Sequence, residues 1–154
     1  MNWRLDFAQV LAVLPHRYPI ILVDRVDDLE PGVRLTARKA VSGNDPAFHA
    51  GAATWPATLL IESWCQAAAV LATWDRPNPD VRTGRVPLVG AMSGIRFPRP
   101  VWPGDVVEHH VRLDRGFGDV LIVNGDSTVD GEPVLAVDRV VVALRSATQL
   151  TGGR

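Results

Sequence analysis

The chain has 154 residues, 47% of them hydrophobic and 21% charged, enough to bury one core; a disordered or collagen-like chain is excluded. A formal net charge of −1 with no run of Lys or Arg leaves no electrostatic drive toward nucleic acid. The single cysteine, Cys65, can form neither an intramolecular disulfide nor a CxxC metal site, and no stretch nears the ~20 apolar residues of a membrane helix, so a reducing, cytoplasmic setting away from the bilayer is expected.

Residues 1–13 lack the basic start, apolar middle and small-residue exit of a signal peptide, so export is not expected. Asp6 can cap a short helix over Phe7 to Val13, which Leu14-Pro15 then stops. Ile20 to Val26 is β-branched and apolar, Val33 to Val41 alternates, and Pro31-Gly32 between them marks a turn, which predicts two antiparallel strands. Gly43 to Trp55 has no period and is rich in turn-forming residues; a loop this long inside a domain is a functional candidate.

Ala57 to Trp74 contains no Gly or Pro, and its apolar residues cover nearly the whole helical wheel, which predicts a buried helix. A polar, Pro-rich connection over Asp75 to Gly84 follows. Val86 to Phe97, Asp105 to Arg115, Val120 to Val129 and Glu132 to Arg145 then read as strands, with Asp130-Gly131 a two-residue hairpin signal. The sum is an α+β fold of about six strands curved around one enclosed helix, because a flat sheet has too few faces to bury it. One domain is expected over residues 1–147, with a mobile tail from Thr148 to Arg154.

Glu62 and Gln66 are the polar surprises of the buried helix and, four apart, share a face. A carboxyl in apolar surroundings can donate a proton or orient a hydroxyl; on a solvated face it would simply be hydrated. His49, in the loop before the helix, is the histidine best placed for proton transfer, its plainer reading being a surface histidine. His16, within Leu14-Pro15-His16-Arg17-Tyr18-Pro19, reads as a structural hydrogen bonder. His109 and His110 are adjacent in a strand and face opposite ways, so they do not share a metal, and no metal site is expected. Cys65 reads as a small core residue, and no phosphate-cradling glycine loop is present.

Five ordered blocks carry a resemblance. They are Leu14-Pro15-His16-Arg17-Tyr18-Pro19-Ile20-Ile21-Leu22-Val23-Asp24-Arg25; Pro31-Gly32 followed by Lys39-Ala40-Val41-Ser42; Asn44-Asp45-Pro46; Leu59-Leu60-Ile61-Glu62-Ser63-Trp64-Cys65-Gln66; and Phe97-Pro98-Arg99-Pro100-Val101-Trp102-Pro103-Gly104-Asp105. Together they resemble the bacterial hot-dog-fold β-hydroxyacyl-acyl-carrier-protein dehydratases of fatty-acid and polyketide synthesis. The resemblance implies a hot-dog dimer or trimer of dimers, with sites between protomers where a loop histidine and a helix glutamate remove water from a β-hydroxyacyl thioester. Glu62 falls on the family's glutamate. Relatives carry Gly-His-Phe-Pro-Gly before the helix, whereas here Phe48-His49-Ala50-Gly51-Ala52-Ala53-Thr54-Trp55-Pro56-Ala57 is shorter, so His49 matches the catalytic histidine only with gaps on both sides.

On this resemblance His49 would take the α-proton and Glu62 would hold or protonate the leaving hydroxyl. Gln66, Trp55, Pro56, Ala57 and Thr58 would bind substrate, backbone N–H groups at the helix start polarising the thioester carbonyl. Arg96 and Arg99 would dock the acidic carrier protein. No cofactor is implied, because the phosphopantetheine arm arrives with the substrate. Two alternatives stand beside this: a non-catalytic or half-catalytic subunit that pairs with a second hot-dog chain, and an acyl thioesterase.

Overall fold

A computed structural model describes residues 2–152 of the chain. The apolar run beginning at Ala57 is helical through Thr73 and lies inside the molecule, with Leu60, Trp64, Ala67 and Val70 all buried. In chain order the elements are β1 (Trp3–Leu5), α1 (Phe7–Val13), β2 (Arg25–Glu30), β3 (Arg34–Ala40), α2 (Pro46–His49), α3 (Ala57–Thr73), β4 (Arg85–Arg96), β5 (Val106–Phe117), β6 (Val120–Val129), β7 (Glu132–Ser146) and α4 (Ala147–Thr151). All strands join one antiparallel sheet in the order β1-β2-β3-β5-β6-β7-β4, which curves around α3. The buried apolar residues of sheet and helix form one connected core. The α+β hot-dog architecture expected from the resemblance is the one observed.

Among the described residues the sheet has seven strands rather than six. Strand β1 was not expected, since three residues are too few to show alternation; it is set by Leu5, buried and paired with Val26. The predicted strand Ile20 to Val26 is displaced to Arg25–Glu30. Leu22 and Val23 are buried, which explains the apolar run, but the backbone there bonds to side chains of α3 instead of a neighbouring strand. The sheet begins once Asp24 N–H donates to the Arg38 carbonyl at 2.9 Å. Asp6 caps α1 with a reciprocal box: Gln9 N–H donates to its carboxylate and Asp6 N–H to the Gln9 amide oxygen, both at 2.9 Å.

The predicted loop from Gly43 to Trp55 contains one short helix, α2, capped by Asp45. Asp130 and Gly131 both take positive φ, 50° and 79°, as the tight hairpin signal requires. Gly125, at φ 155°, lets α3 approach the sheet: a Cβ there would meet the His110 carbonyl oxygen at 1.9 Å, with the Trp64 ring 3.3 Å away. The segment from Thr148, expected as a mobile tail, starts within α4; residues 153 and 154 of that tail lie outside the described residues. No helix among the described residues is long and apolar enough to cross a membrane.

Candidate active site

Glu62 and Gln66 face the same way from α3, as their spacing requires, toward the irregular segment 20–24. Gln66 is 1% exposed and fully committed within the protein. Its amide oxygen accepts from Leu22 N–H at 2.8 Å, and its nitrogen donates to the Ile20 carbonyl at 2.7 Å and to Glu62 Oε1 at 2.9 Å. Gln66, expected to touch substrate, therefore spends its donors and acceptor on locking 20–22 to the helix and orienting Glu62.

Glu62 opens into a cavity of about 210 Å³ lined by His16, Cys65, Gln66 and Ala69, by Pro87, Leu88 and Val89 of β4, and by Val142 of β7. His16 Nε2 stands 3.5 Å from Glu62 Oε1. His16, assigned from its motif to a structural hydrogen bond, is thus the histidine that this chain brings to its own glutamate. The sequence signal was only its place in a block that precedes β2, and the contact forms because Leu22 and Ile20 are tied down by Gln66. Burial lowers the pKa of His16, opposed by the nearby Glu62 charge and helped slightly by Arg17. The Cys65 thiol is pushed up to about 12 by burial and by Glu62, which suits the expected small core residue rather than a nucleophile.

His49 lies elsewhere. It ends α2 on the exposed surface, with Nε2 3.1 Å from Asn44 Oδ1, and does not line the Glu62 cavity of its own chain. Trp55 is 2% exposed and serves as a tether: its N–H donates to the Val101 carbonyl at 2.8 Å and its ring N–H to Asp45 at 3.2 Å. Pro56 is the N-cap of α3, and Ala57 and Thr58 are exposed in its first turn; no capping side chain occupies that helix start. None of these four lines the Glu62 cavity.

Arg96 and Arg99 also separate. Arg96 is an exposed bidentate partner of Asp138, at 2.8 and 3.0 Å. Asp138 reaches it across Gly94, whose absent Cβ would lie 2.1 Å from that carboxylate. Arg99 is half-buried, donates to the Val129 carbonyl at 3.3 Å, and leaves its buried Nε without a partner. His109 and His110 do point to opposite faces: His109 is fully buried between Ser63 and Ser127, whereas His110 stands near Glu108 and Asp126.

Residues 14–138 match the model of the FabA-like domain. Over 138 residues the chain is 38% identical to the 3-hydroxyacyl-[acyl-carrier-protein] dehydratase FabZ of Anaeromyxobacter sp., covering 87% of each protein. It is 40% identical over 133 residues to the FabZ of Myxococcus xanthus, covering 84% of this chain and 86% of that one. The chain belongs to the FabA-like family. Among solved structures, this FabA-like fold is similar to the dehydratase heterocomplex ApeI:P from Xenorhabdus doucetiae, with a TM-score of 0.78 over 93% of this chain and 95% of that one at 17% identity. The fluoroacetyl-CoA thioesterase FlK also shares the fold, with a TM-score of 0.62 at 16% identity over 80% of this chain and 95% of that one.

Proposed function

We propose that this protein removes water from a β-hydroxyacyl thioester carried on acyl carrier protein, giving the trans-α,β-enoyl thioester in fatty-acid or polyketide assembly. The observation that carries the reading is Glu62, a carboxyl oriented by Gln66 and opening into an otherwise largely apolar cavity, on the helix of a FabA-like domain. A base takes the α-proton, the freed electron pair forms the C=C bond, the Cβ–O bond breaks, and Glu62 protonates the departing hydroxyl as water. Free N–H groups at the start of α3 would polarise the thioester carbonyl. The reaction is redox-neutral and needs no cofactor beyond the phosphopantetheine that the substrate brings. In this reading the protein works in the cytoplasm.

A second protomer completes the site in this reading. Strand β4 ends the sheet order, so its outer edge has no strand partner among the described residues, and Leu88, Val89 and Met92 on it are exposed. A strand added there would wall the cavity at Pro87 to Val89. Antiparallel pairing about the middle of the exposed run Leu88 to Gly94 would bring the partner's Ile95 opposite Pro87. The partner chain then continues toward its Val101, to which Trp55, Asp45 and so α2 are tied. His49 would reach Glu62 by this route, as the base from the opposite protomer. The similarity to a heterocomplex, together with the shortened His49 loop, favours a second reading in which the partner is a different hot-dog chain.

The test incubates the pure protein with a short enoyl carrier-protein thioester and with the matching β-hydroxyacyl form, and follows gain or loss of one water by intact mass. Water exchange that vanishes in Glu62→Gln supports the dehydratase. Release of the free acid would mark a thioesterase, and inertness relieved only by a second hot-dog chain would mark the half-catalytic subunit.

A further inference from the structure

His16 has a bonding pattern that a purely structural histidine would not need. Its Nδ1 is buried without a hydrogen-bond partner, while Nε2 faces Glu62 Oε1 at 3.5 Å inside the cavity. A bare buried acceptor is cheaper than a buried unpaired N–H, so the ring carries its proton on Nε2. Glu62 Oε1 then accepts from Gln66 at 2.9 Å and has the His16 Nε2 beside it at 3.5 Å, while no hydrogen bond among the described residues engages Oε2. The backbone that carries the ring is held: the Arg17 guanidinium donates to the carbonyls of Leu11, Leu14 and His16 at 3.0, 2.7 and 2.7 Å.

We propose that His16 is a positioning residue for Glu62: while Gln66 holds one carboxyl oxygen, the His16 ring beside that same oxygen helps to turn the other toward the departing hydroxyl and stabilises the carboxylate that forms as the proton leaves. Both donors aim at charge that grows during the reaction, so they favour the transition state over the ground state. The catalytic half of this inference rests on the dehydratase reading; the approach of His16 to Glu62 does not. Other groups facing Glu62 do not compete. From α3 the neighbour is Cys65, whose thiol stays protonated, and from β4 and β7 come Pro87, Leu88, Val89 and Val142, which carry no charge. From the segment after α1, Arg17 is engaged with backbone carbonyls.

The experiment compares His16→Phe, which keeps a ring but loses the donor, with His16→Gln, which restores one. The Glu62 carboxyl carbon is followed by NMR through a pH titration in glutamate-labelled protein, its signal assigned by loss in Glu62→Gln. Removing a donor from a carboxylate favours its protonated form, so the midpoint should rise by at least about half a pH unit in His16→Phe and return toward wild type in His16→Gln. In turnover, kcat should fall ~tenfold in His16→Phe with KM within about twofold, and the alkaline limb of the kcat profile should move upward with the midpoint. An unmoved midpoint in His16→Phe overturns the proposal, whether or not kcat falls. A midpoint that shifts in His16→Phe while the wild-type protein turns over no thioester would instead sink the dehydratase reading and leave the Glu62 contact standing.

Discussion

Two histidines, the buried His109 and the half-buried His16, sit against side chains of the same helix, yet their hydrogen bonding differs. His109 is closed on both sides: Ser63 Oγ donates to the Leu22 carbonyl at 2.6 Å and is left to accept from His109 Nε2 at 2.6 Å, and Ser127 Oγ donates to His109 Nδ1 at 2.7 Å. Each side-chain polar atom of Ser63, His109 and Ser127 has a partner, and burial holds the His109 ring neutral, its pKa lowered to about 3 with a smaller push from His110. His16 has one nitrogen unpaired, the other at a cavity wall, and a carboxyl for a neighbour. A completed network maintains a fold; an incomplete one beside open space is where a substrate can be received.

The sharpest way to break this contrast is Glu62→Gln. Loss of the acid should reduce turnover by about 100-fold or more while urea denaturation leaves the midpoint close to wild type, since the side chain is partly exposed and its amide replacement can still accept from Gln66. A variant that unfolds instead would move Glu62 to the structural side of the comparison.

His109→Leu should do the reverse, costing about 2 kcal/mol or more of stability by stranding the Ser127 hydroxyl, with activity lost only in step with folding. The same histidine gives a pH signature. Its folded pKa, about 3, lies below the unfolded value, so unfolding takes up a proton below pH 6.5, and stability falls by ~1.4 kcal/mol per pH unit from there toward pH 3. Chemical denaturation across that range should show this part of the slope in wild type and not in His109→Leu.

A mixing experiment sharpens the place of His49. If it acts from the opposite protomer, inactive His49→Ala and inactive Glu62→Gln chains, co-expressed with different tags, should recover about a quarter of wild-type activity, because half the dimers are hybrids with one intact site. No recovery, or a fully active His49→Ala, would leave His49 as the exposed partner of Asn44. The smallest effect concerns docking. Arg99→Glu should raise KM for the carrier-bound substrate about threefold and leave a pantetheine thioester unaffected, whereas Arg96→Glu should do less because its charge is already neutralised by Asp138. Equal effects on both substrates would place the rim elsewhere.

Much of this was legible along the chain because it depends on near neighbours. The apolar wheel from Ala57 onward required an enclosed helix, the four-residue spacing put Glu62 and Gln66 on one face, Asp6 announced the first cap, and Asp130-Gly131 announced the last hairpin. Local composition misled where distant groups answered the backbone. Ile20 to Asp24 has the residues of a strand, but Gln66 and Ser63, more than forty positions away, take up its hydrogen bonds, so it runs as an irregular strap across the helix. That strap is what carries His16 to Glu62, a pairing between positions 46 apart with no periodic signature. Side-chain type and short-range spacing are properties of the sequence alone; which histidine meets the carboxyl depends on how the chain closes around α3, and only the packed structure decides it.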